Sequence, residues 1–508
     1  MLIATGTAHS SDAAFDARLS IDAARPGAPA NALLLGSNVQ WVDRGDELLM
    51  RDGRGFNRPV LEGVQQLRPT LLRYPGGSHS DLYRWRDGIG DRSERRENEH
   101  FFSRRMQRIE MGTQEFLELC EQLGAEPLFT VNVVTGSADE AADWVRWVNV
   151  NRPRSRLTGR PLPRARYWEI GNEPYLRDDR QKRLWLSPAE YAGRANRFIE
   201  SMRGADPSIL IGIPLRSDRI GGVPATPMPG FDETVLRALT QPFDWVAVHD
   251  AYLPFLFDGK ASAEDLYRAA MAASRVVKQD LDETAALLAR LKPGQPVRFG
   301  ITEYSALFTL GGRFDALIDS PLGGLYVADL LVTLAGIREV ALANFWSLSG
   351  NWHFGAVSQR GEPRAAHAVL AALRDVFVGR QLPVEVRSDG RFDVVRVGFV
   401  PEQRGVSSIT AFATVDQDTV RVAIVNKDRH RNARLTIDFG AVSLSEAGVV
   451  ALTSVNPFDT DGSHERWSRS SLRLGAKKGG ELSFELPGAS MAVLQVRLKE
   501  SGAPKAAR

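Results

Sequence analysis

Between residues 30 and 375, short apolar runs rich in β-branched and aromatic residues alternate with longer stretches whose apolar positions recur every three or four residues. The first kind reads as buried strands and the second as amphipathic helices. Eight strand-like runs are found, at 33–37, 70–73, 128–132, 167–172, 209–214, 243–249, 297–302 and 340–346. The helices between them carry their own boundaries. Ser187, Pro188 and Glu190 form an N-cap, a first-turn proline and a capping-box glutamate, and Asp206-Pro207 stops that helix. Another helix opens at Thr113, aligns Phe116, Leu117, Cys120 and Leu123 on one face, and closes at Gly124. Cys120 is thus expected in the core.

Eight alternating units predict an α/β fold with a (β/α)8 barrel over 30–378, a doubly wound sheet being the alternative. The ends of the runs favour the barrel. Asn38, Arg73, Asn132, Asn172 with Glu173, His249, Glu303 and Trp346 all stand at or just after a run. A barrel gathers such ends on one rim, where its chemistry sits. After about residue 380 the pattern becomes short alternating runs separated by turn residues: 392–400, 408–414, 420–426, 433–439, 448–453, 481–486 and 492–498. These predict a β-sandwich over 379–500. The run 15–21, within an N-terminal segment 1–29, is expected to add a strand to it. The tail 501–508 is expected to be disordered.

Bulk composition changes little. The chain has 508 residues, 43% apolar and 25% charged, with a formal charge of +2. That is ordinary for a globular protein of two domains and points to neither a nucleic-acid nor a membrane partner. No stretch approaches the ~18 apolar residues of a membrane span, and no signal peptide is visible at the start, so a cytoplasmic or periplasmic location is expected.

Two carboxylates on one barrel rim suit retaining glycoside cleavage, with one protonated to serve the leaving oxygen and the other ionised to attack the anomeric carbon. Glu173 follows Gly171-Asn172 and precedes Pro174, while Glu303 follows Thr302 at the end of the seventh run. Arg73 is expected to hold Glu303 ionised, which in turn would raise the pKa of Glu173. Glu169 lies deeper and reads as a structural carboxylate. Most of the 62 acidic residues are solvated surface charges; these two stand apart because each follows an apolar strand directly. His249 fits either a hydrogen-bonded core histidine or a site residue. Trp85 and Trp346 fit either core or stacking platforms. No phosphate loop, dinucleotide fingerprint or GxSxG elbow occurs, and His353 and His367 lack metal-ligand spacing. Neither a cofactor nor a metal is expected.

The ordered set of motifs resembles family 51 glycoside hydrolases, the α-L-arabinofuranosidases. It comprises Leu72-Arg73-Tyr74-Pro75-Gly76-Gly77, Tyr83 to Gly90, Gly112 to Phe116, Val131-Asn132, Tyr167 to Glu173, Asp206 to Ile209, Ile301 to Tyr304, Ser454 to Pro457 and Leu486 to Ser490. The resemblance implies a retaining, exo-acting enzyme with Glu173 as acid/base and Glu303 as nucleophile. It also implies substrate-pocket roles for Arg73 and Asn172, a glycan or oligosaccharide substrate, and a homo-oligomer; Asn132, His249, Tyr252, Trp346, Gln40, Ser78 and Trp85 are further residues expected to bind substrate.

Three departures bear on the sugar. Gln40 and Trp41 stand where the family has a glutamate and a histidine, Ser78 replaces an asparagine, and His249-Asp250-Ala251-Tyr252 is one residue longer than the usual His-x-Tyr. Other sugar preferences therefore stay open: β-xylosidase, heparanase-like β-glucuronidase, β-galactofuranosidase or endo-glucanase. Arg84, Arg86 and Arg92 would serve a uronate pocket or, more simply, a solvated loop. An inactive glycan-binding protein is the reading from another class. Residues 308–323, with Gly311-Gly312 and Gly323-Gly324 as hinges, are expected to cover the pocket.

Overall fold

The computed structural model describes residues 13–52, 55–217, 228, 230–252, 260–306, 315–350, 354–460, 466–475 and 480–499. Its centre is a closed barrel of eight parallel strands: β1 (Gly36–Asn38), β2 (Leu71–Tyr74), β3 (Glu126–Val131), β4 (Tyr167–Ile170), β5 (Leu210–Pro214), β6 (Trp245–Ala247), β7 (Phe299–Tyr304) and β8 (Val340–Phe345). They pair in chain order, and β8 closes on β1 through Asn344↔Gly36 and Phe345↔Ser37. The strands are buried on both faces, as parallel strands under helices must be. Seven connections carry helices α1 (Arg58–Leu67), α2 (Thr113–Leu123), α3 (Ala138–Val145), α4 (Pro188–Ala205), α5 (Phe231–Ala238), α6 (Ala263–Leu291) and α7 (Pro321–Ala335); α8 (Ala365–Arg374) follows β8.

Local signals act where they were read. Ser187 Oγ accepts from the Glu190 N–H at 3.2 Å, and the Glu190 carboxylate accepts from the Ser187 N–H at 2.8 Å. Gly124 ends α2 in the left-handed region. Cys120 is fully buried, and burial pushes its thiol pKa well up.

Two sheets face each other beyond the barrel, antiparallel throughout except that Phe15–Ile21 pairs in parallel with Ala433–Asp438. The first runs Val384–Ser388, Phe15–Ile21, Ala433–Asp438, Glu481–Leu486. The second runs Arg380–Leu382, Ile409–Asp416, Thr419–Asn426, Ser490–Leu498, Leu444–Thr453, Ser468–Leu474. Their inner faces share a core that includes Leu19, Ile424, Leu435 and Leu494. The barrel-plus-sandwich class is as the sequence predicts.

Several details differ. Part of run 33–37 is a 3₁₀ turn, Ala32–Leu35, capped by Asn31, so the first strand starts at Gly36. The run 392–400 gives Arg391–Val394, which pairs only with Gln403–Ser407 in a separate hairpin. Gly323 and Gly324 are not hinges, because both lie inside α7. A Cβ on Gly324 would sit 2.7 Å from Trp467 Cζ2, so close packing accounts for it. Residues 308–314, His353 and the tail 501–508 lie outside the described residues.

Candidate active site

The C-terminal ends of β1, β2, β4, β6 and β7 converge on Arg73. This residue is wholly buried, and its guanidinium is nearly saturated. Nε and Nη2 donate to Glu169 at 2.8 and 3.4 Å, Nη1 donates to Glu303 Oε1 at 2.8 Å and Asn38 Oδ1 at 3.0 Å, and Nη2 donates to Asn172 Oδ1 at 2.8 Å. Glu169 also accepts from Thr130 and Thr302 at 3.4 and 3.3 Å, as a structural carboxylate should. Arg73 thereby ties Glu303 and Asn172 to one buried, hydrogen-bonded floor.

Glu303 is the fifth residue of β7, a strand whose six residues are all buried. Its Oε2 accepts from the Tyr252 hydroxyl at 2.7 Å. The extra residue in the β6 loop is taken up by a 3₁₀ turn, Asp250–Tyr252, which returns the tyrosine to the nucleating strand end. His249 joins the two halves of the site: Nδ1 lies 3.0 Å from Glu173 Oε1 and 3.9 Å from Glu303 Oε2, while Nε2 lies 2.8 Å from Thr302 Oγ1.

Glu173 sits where β4 breaks. Gly171 has φ +82°, a conformation strained for any other residue, and a Cβ there would lie 2.3 Å from Val133 Cγ1. Glu173 itself has φ +42°, which turns its side chain toward His249. The ligating atoms of Glu173, His249 and Glu303 all lie within 4.8 Å of one another. Such a trio can suit a metal ion, but the Arg73 cation already occupies one oxygen of Glu303. A divalent cation there would face a guanidinium held in place by Glu169.

The electrostatics correct one expectation. Burial pushes the Glu303 carboxyl above its usual range. His249 and Arg73 pull it back without cancelling the shift, and Glu173 adds to it. Arg73 thus opposes a rise it does not reverse. Burial disfavours the charged form of His249, yet Glu303 and the Glu173 hydrogen bond outweigh it and the imidazole pKa is raised. The charges of Glu303 and His249 thus stabilise each other.

Other predicted residues fall into place unevenly. Trp346 is half-buried beside Glu303: a Cβ on Gly77, whose φ is +31°, would lie 2.7 Å from Trp346 Cη2 and 3.5 Å from Glu303 Oε1. Ser78 follows, half-buried at the start of the turn Ser78–Leu82. Gln40 packs over Gly76 and is tied to Asp46 by two 2.9 Å hydrogen bonds. Burial raises the Asp46 carboxyl to about 7. Trp41 is fully buried against His79 and Tyr83, so it does not reach the pocket as its alignment with the family histidine suggested.

Trp85 and Asn132 do not join the cluster. Trp85 stacks on Trp144 with centroids 6.1 Å apart and donates its indole N–H to the Glu140 carbonyl. Asn132 spends its amide on Tyr83, Thr135 and Gly136, bracing the loop after β3. Nor do the arginines form a basic pocket: Arg84 pairs with Glu140, Arg86 with Asp143 and Arg92 with Glu115.

Sequence reasoning missed the supporting shell of Thr302, Thr130, Tyr175 and Asp81. Tyr175 places its hydroxyl 3.5 Å from Glu173 Oε1. Asp81 is buried near Asn172, and burial pushes its carboxyl well up. Thr302 sits next to Glu303 and invited attention. Asp81 lies in a polar turn that gives no sign of burial. Among the described residues the buried Asn172 amide nitrogen meets no hydrogen-bond acceptor, which leaves a donor for a bound ligand.

Comparison with known proteins agrees with the resemblance read from the motifs. The family model "Alpha-L-arabinofuranosidase 1 domain" matches residues 63–227. Alpha-L-arabinofuranosidase C of Emericella nidulans is 35% identical over 169 residues, covering 32% of this chain and 32% of its own length. An intracellular exo-alpha-(1->5)-L-arabinofuranosidase of Bifidobacterium longum is 28% identical over 208 residues, covering 40% of this chain and 35% of its own. The match therefore spans about a third of the curated relatives' length. Over the whole chain, the arabinose complex of the Thermotoga maritima alpha-L-arabinofuranosidase superposes with a TM-score of 0.79. The sequence identity is 21%, covering 95% of this chain and 100% of that one, a likeness of fold.

Proposed function

We propose that this chain is a retaining, exo-acting α-L-arabinofuranosidase with Glu303 as nucleophile and Glu173 as general acid/base. The observation that carries the reading is the pair of carboxylates whose nearest oxygens lie within 4.8 Å at the barrel rim. Direct attack by one carboxylate needs a gap of about 5–5.5 Å, whereas a mechanism with an intervening water needs about 6.5–9.5 Å.

The roles follow from what touches each group. Glu303 is held by Arg73 and Tyr252 on its two oxygens, which favours its anion and aims it. Glu173 is more exposed and, among the described residues, its carboxylate meets His249 and Tyr175, so it can deliver a proton to a leaving oxygen and later take one from water. His249 bridges both carboxylates. The free Asn172 N–H suits a sugar hydroxyl next to the reacting carbon, where a hydrogen bond strengthens as charge develops. The matched family region and the curated relatives support arabinofuranose as the glycone.

The test is hydrolysis of nitrophenyl α-L-arabinofuranoside, β-xyloside, β-glucuronide, β-glucoside and β-galactofuranoside. Wild type is expected to release only from the arabinofuranoside, with first-formed product of retained configuration by NMR. Glu303→Ala should abolish release, while Glu173→Ala should recover rate with added azide. Release from another sugar would replace the glycone, inverted product would overturn the mechanism, and binding without release would leave a glycan-binding protein.

A further inference from the structure

A groove of about 1230 Å³ lies between α8 and the outer face of the six-stranded sheet, built from residues with no part in the cluster around Arg73. Alternation along the strands decides what faces it. Leu494 and Val422 point into the sandwich core, so Gln495 and Arg421 point out. Register then places Arg421 beside Gln495, Gln495 beside Gly448 and Gly448 beside Arg473 in one row across four strands. Three strand spacings separate the two arginines by about 14 Å. The next row holds Val493, Val450 and Ser471, and Arg469 stands beyond it. Gly448 leaves a gap in the floor: a Cβ there would meet only the Leu472 carbonyl, at 3.8 Å.

The charge is one-sided. Five arginines line the groove against two carboxylates, Asp375 and Glu446. Arg374 is neutralised by Asp375 and Arg497 by Asp418. Arg421, Arg469 and Arg473 form no ion pair with any described carboxylate, and Arg421 Nη1 is buried without a hydrogen-bond partner. Unpaired guanidinium forks on a flat, partly apolar floor with serine and glutamine between them suit a ligand that carries carboxylates and hydroxyls together. Single-stranded nucleic acid would want exposed rings to stack on. The groove's tryptophan, Trp467, is buried, with its indole N–H spent on the Ala365 carbonyl.

We propose that this groove is an accessory site for an anionic, uronate-bearing glycan. The choice of a glycan rests on the proposed glycosidase activity, while the site itself rests on the arginine row.

The test is native electrophoresis of the whole protein through gels containing polygalacturonate, neutral arabinan, heparin or DNA. Polygalacturonate should retard wild type. Gly448→Glu, whose Cβ has room and whose carboxylate puts an anion on the floor, and Arg421→Ala/Arg473→Ala should each weaken that retention at least tenfold, with turnover of the nitrophenyl glycoside and thermal melting unchanged. No retardation, or equal retardation of both variants, overturns the proposal. Equal retention by heparin and DNA makes the face a general polyanion surface, and a changed oligomeric state in Gly448→Glu makes it a self-association surface; either also overturns it. Retention lost on mutation in a protein that cleaves none of the small glycosides would keep the site and remove the arabinofuranosidase reading.

Discussion

At the scale of single residues, the site is governed by how its buried carboxyl is kept charged. Glu303 has a raised pKa, so the anion needed for attack is lost as pH falls through a value above the ordinary glutamate figure of about 4.3. The acid limb of kcat/KM should therefore lie above that figure. The Tyr252 hydrogen bond lowers the Glu303 pKa and stabilises its charge. Hydrogen bonds to charged groups contribute about 1.5–3 kcal/mol. Tyr252→Phe should then cut kcat/KM by roughly ten- to a hundredfold and move the acid limb to higher pH. A drop in kcat/KM with an unmoved limb would show that Tyr252 acts on the substrate and not on Glu303. The two glutamates were legible because each follows an apolar run. The sign of the Glu303 shift was not, since it depends on how completely Thr302, Tyr252 and the barrel floor exclude water.

Among the elements, the break at the end of β4 does the most specific work. Gly171 supplies a positive φ and the room beside Val133, and Glu173 then turns through its own positive φ. Gly171→Ala meets both strain and a clash, its Cβ only 2.3 Å from Val133 Cγ1. It is expected to lose activity by at least a hundredfold, because a shift of about 1 Å in a reacting group is that costly. Ser187→Ala is the contrasting change. It removes one N-cap on α4, should cost about 1 kcal/mol by urea denaturation, and should leave kcat untouched. If both changes acted alike on kcat, the turn would not be what positions Glu173. Caps, barrel strands and the Gly171 turn were legible because each has a local cause. The strand Ser468–Leu474 was not, because SRSSLRL lies at a sheet edge, half in solvent, and needs no apolar run. Trp85 misled for the opposite reason: its neighbours Trp144 and Trp147 come from α3 and the turn after it, a tertiary fact with no local trace.

The whole molecule is held together across the seam between barrel and sandwich. Asp329 on α7 is wholly buried. It accepts from Ser274 of α6 and lies 3.4 Å from the ammonium of Lys427, which follows the strand Thr419–Asn426 of the sandwich and is itself buried. A pair this dry gains little net free energy, because desolving two charges offsets their attraction; losing one partner leaves the other uncompensated. Lys427→Met and Asp329→Leu are each expected to destabilise by about 3–5 kcal/mol. The double variant should return to within about 1 kcal/mol of wild type, because an apolar pair of similar volume replaces the ions. Chemical denaturation followed by tryptophan fluorescence measures this. The barrel carries Trp144, Trp168 and Trp245 in its core, so loss of the seam is seen from the barrel side. If the two losses simply add, the pair is not the coupling across the seam. If wild type unfolds in two separate steps, barrel and sandwich stand as independent units and the seam is only a contact.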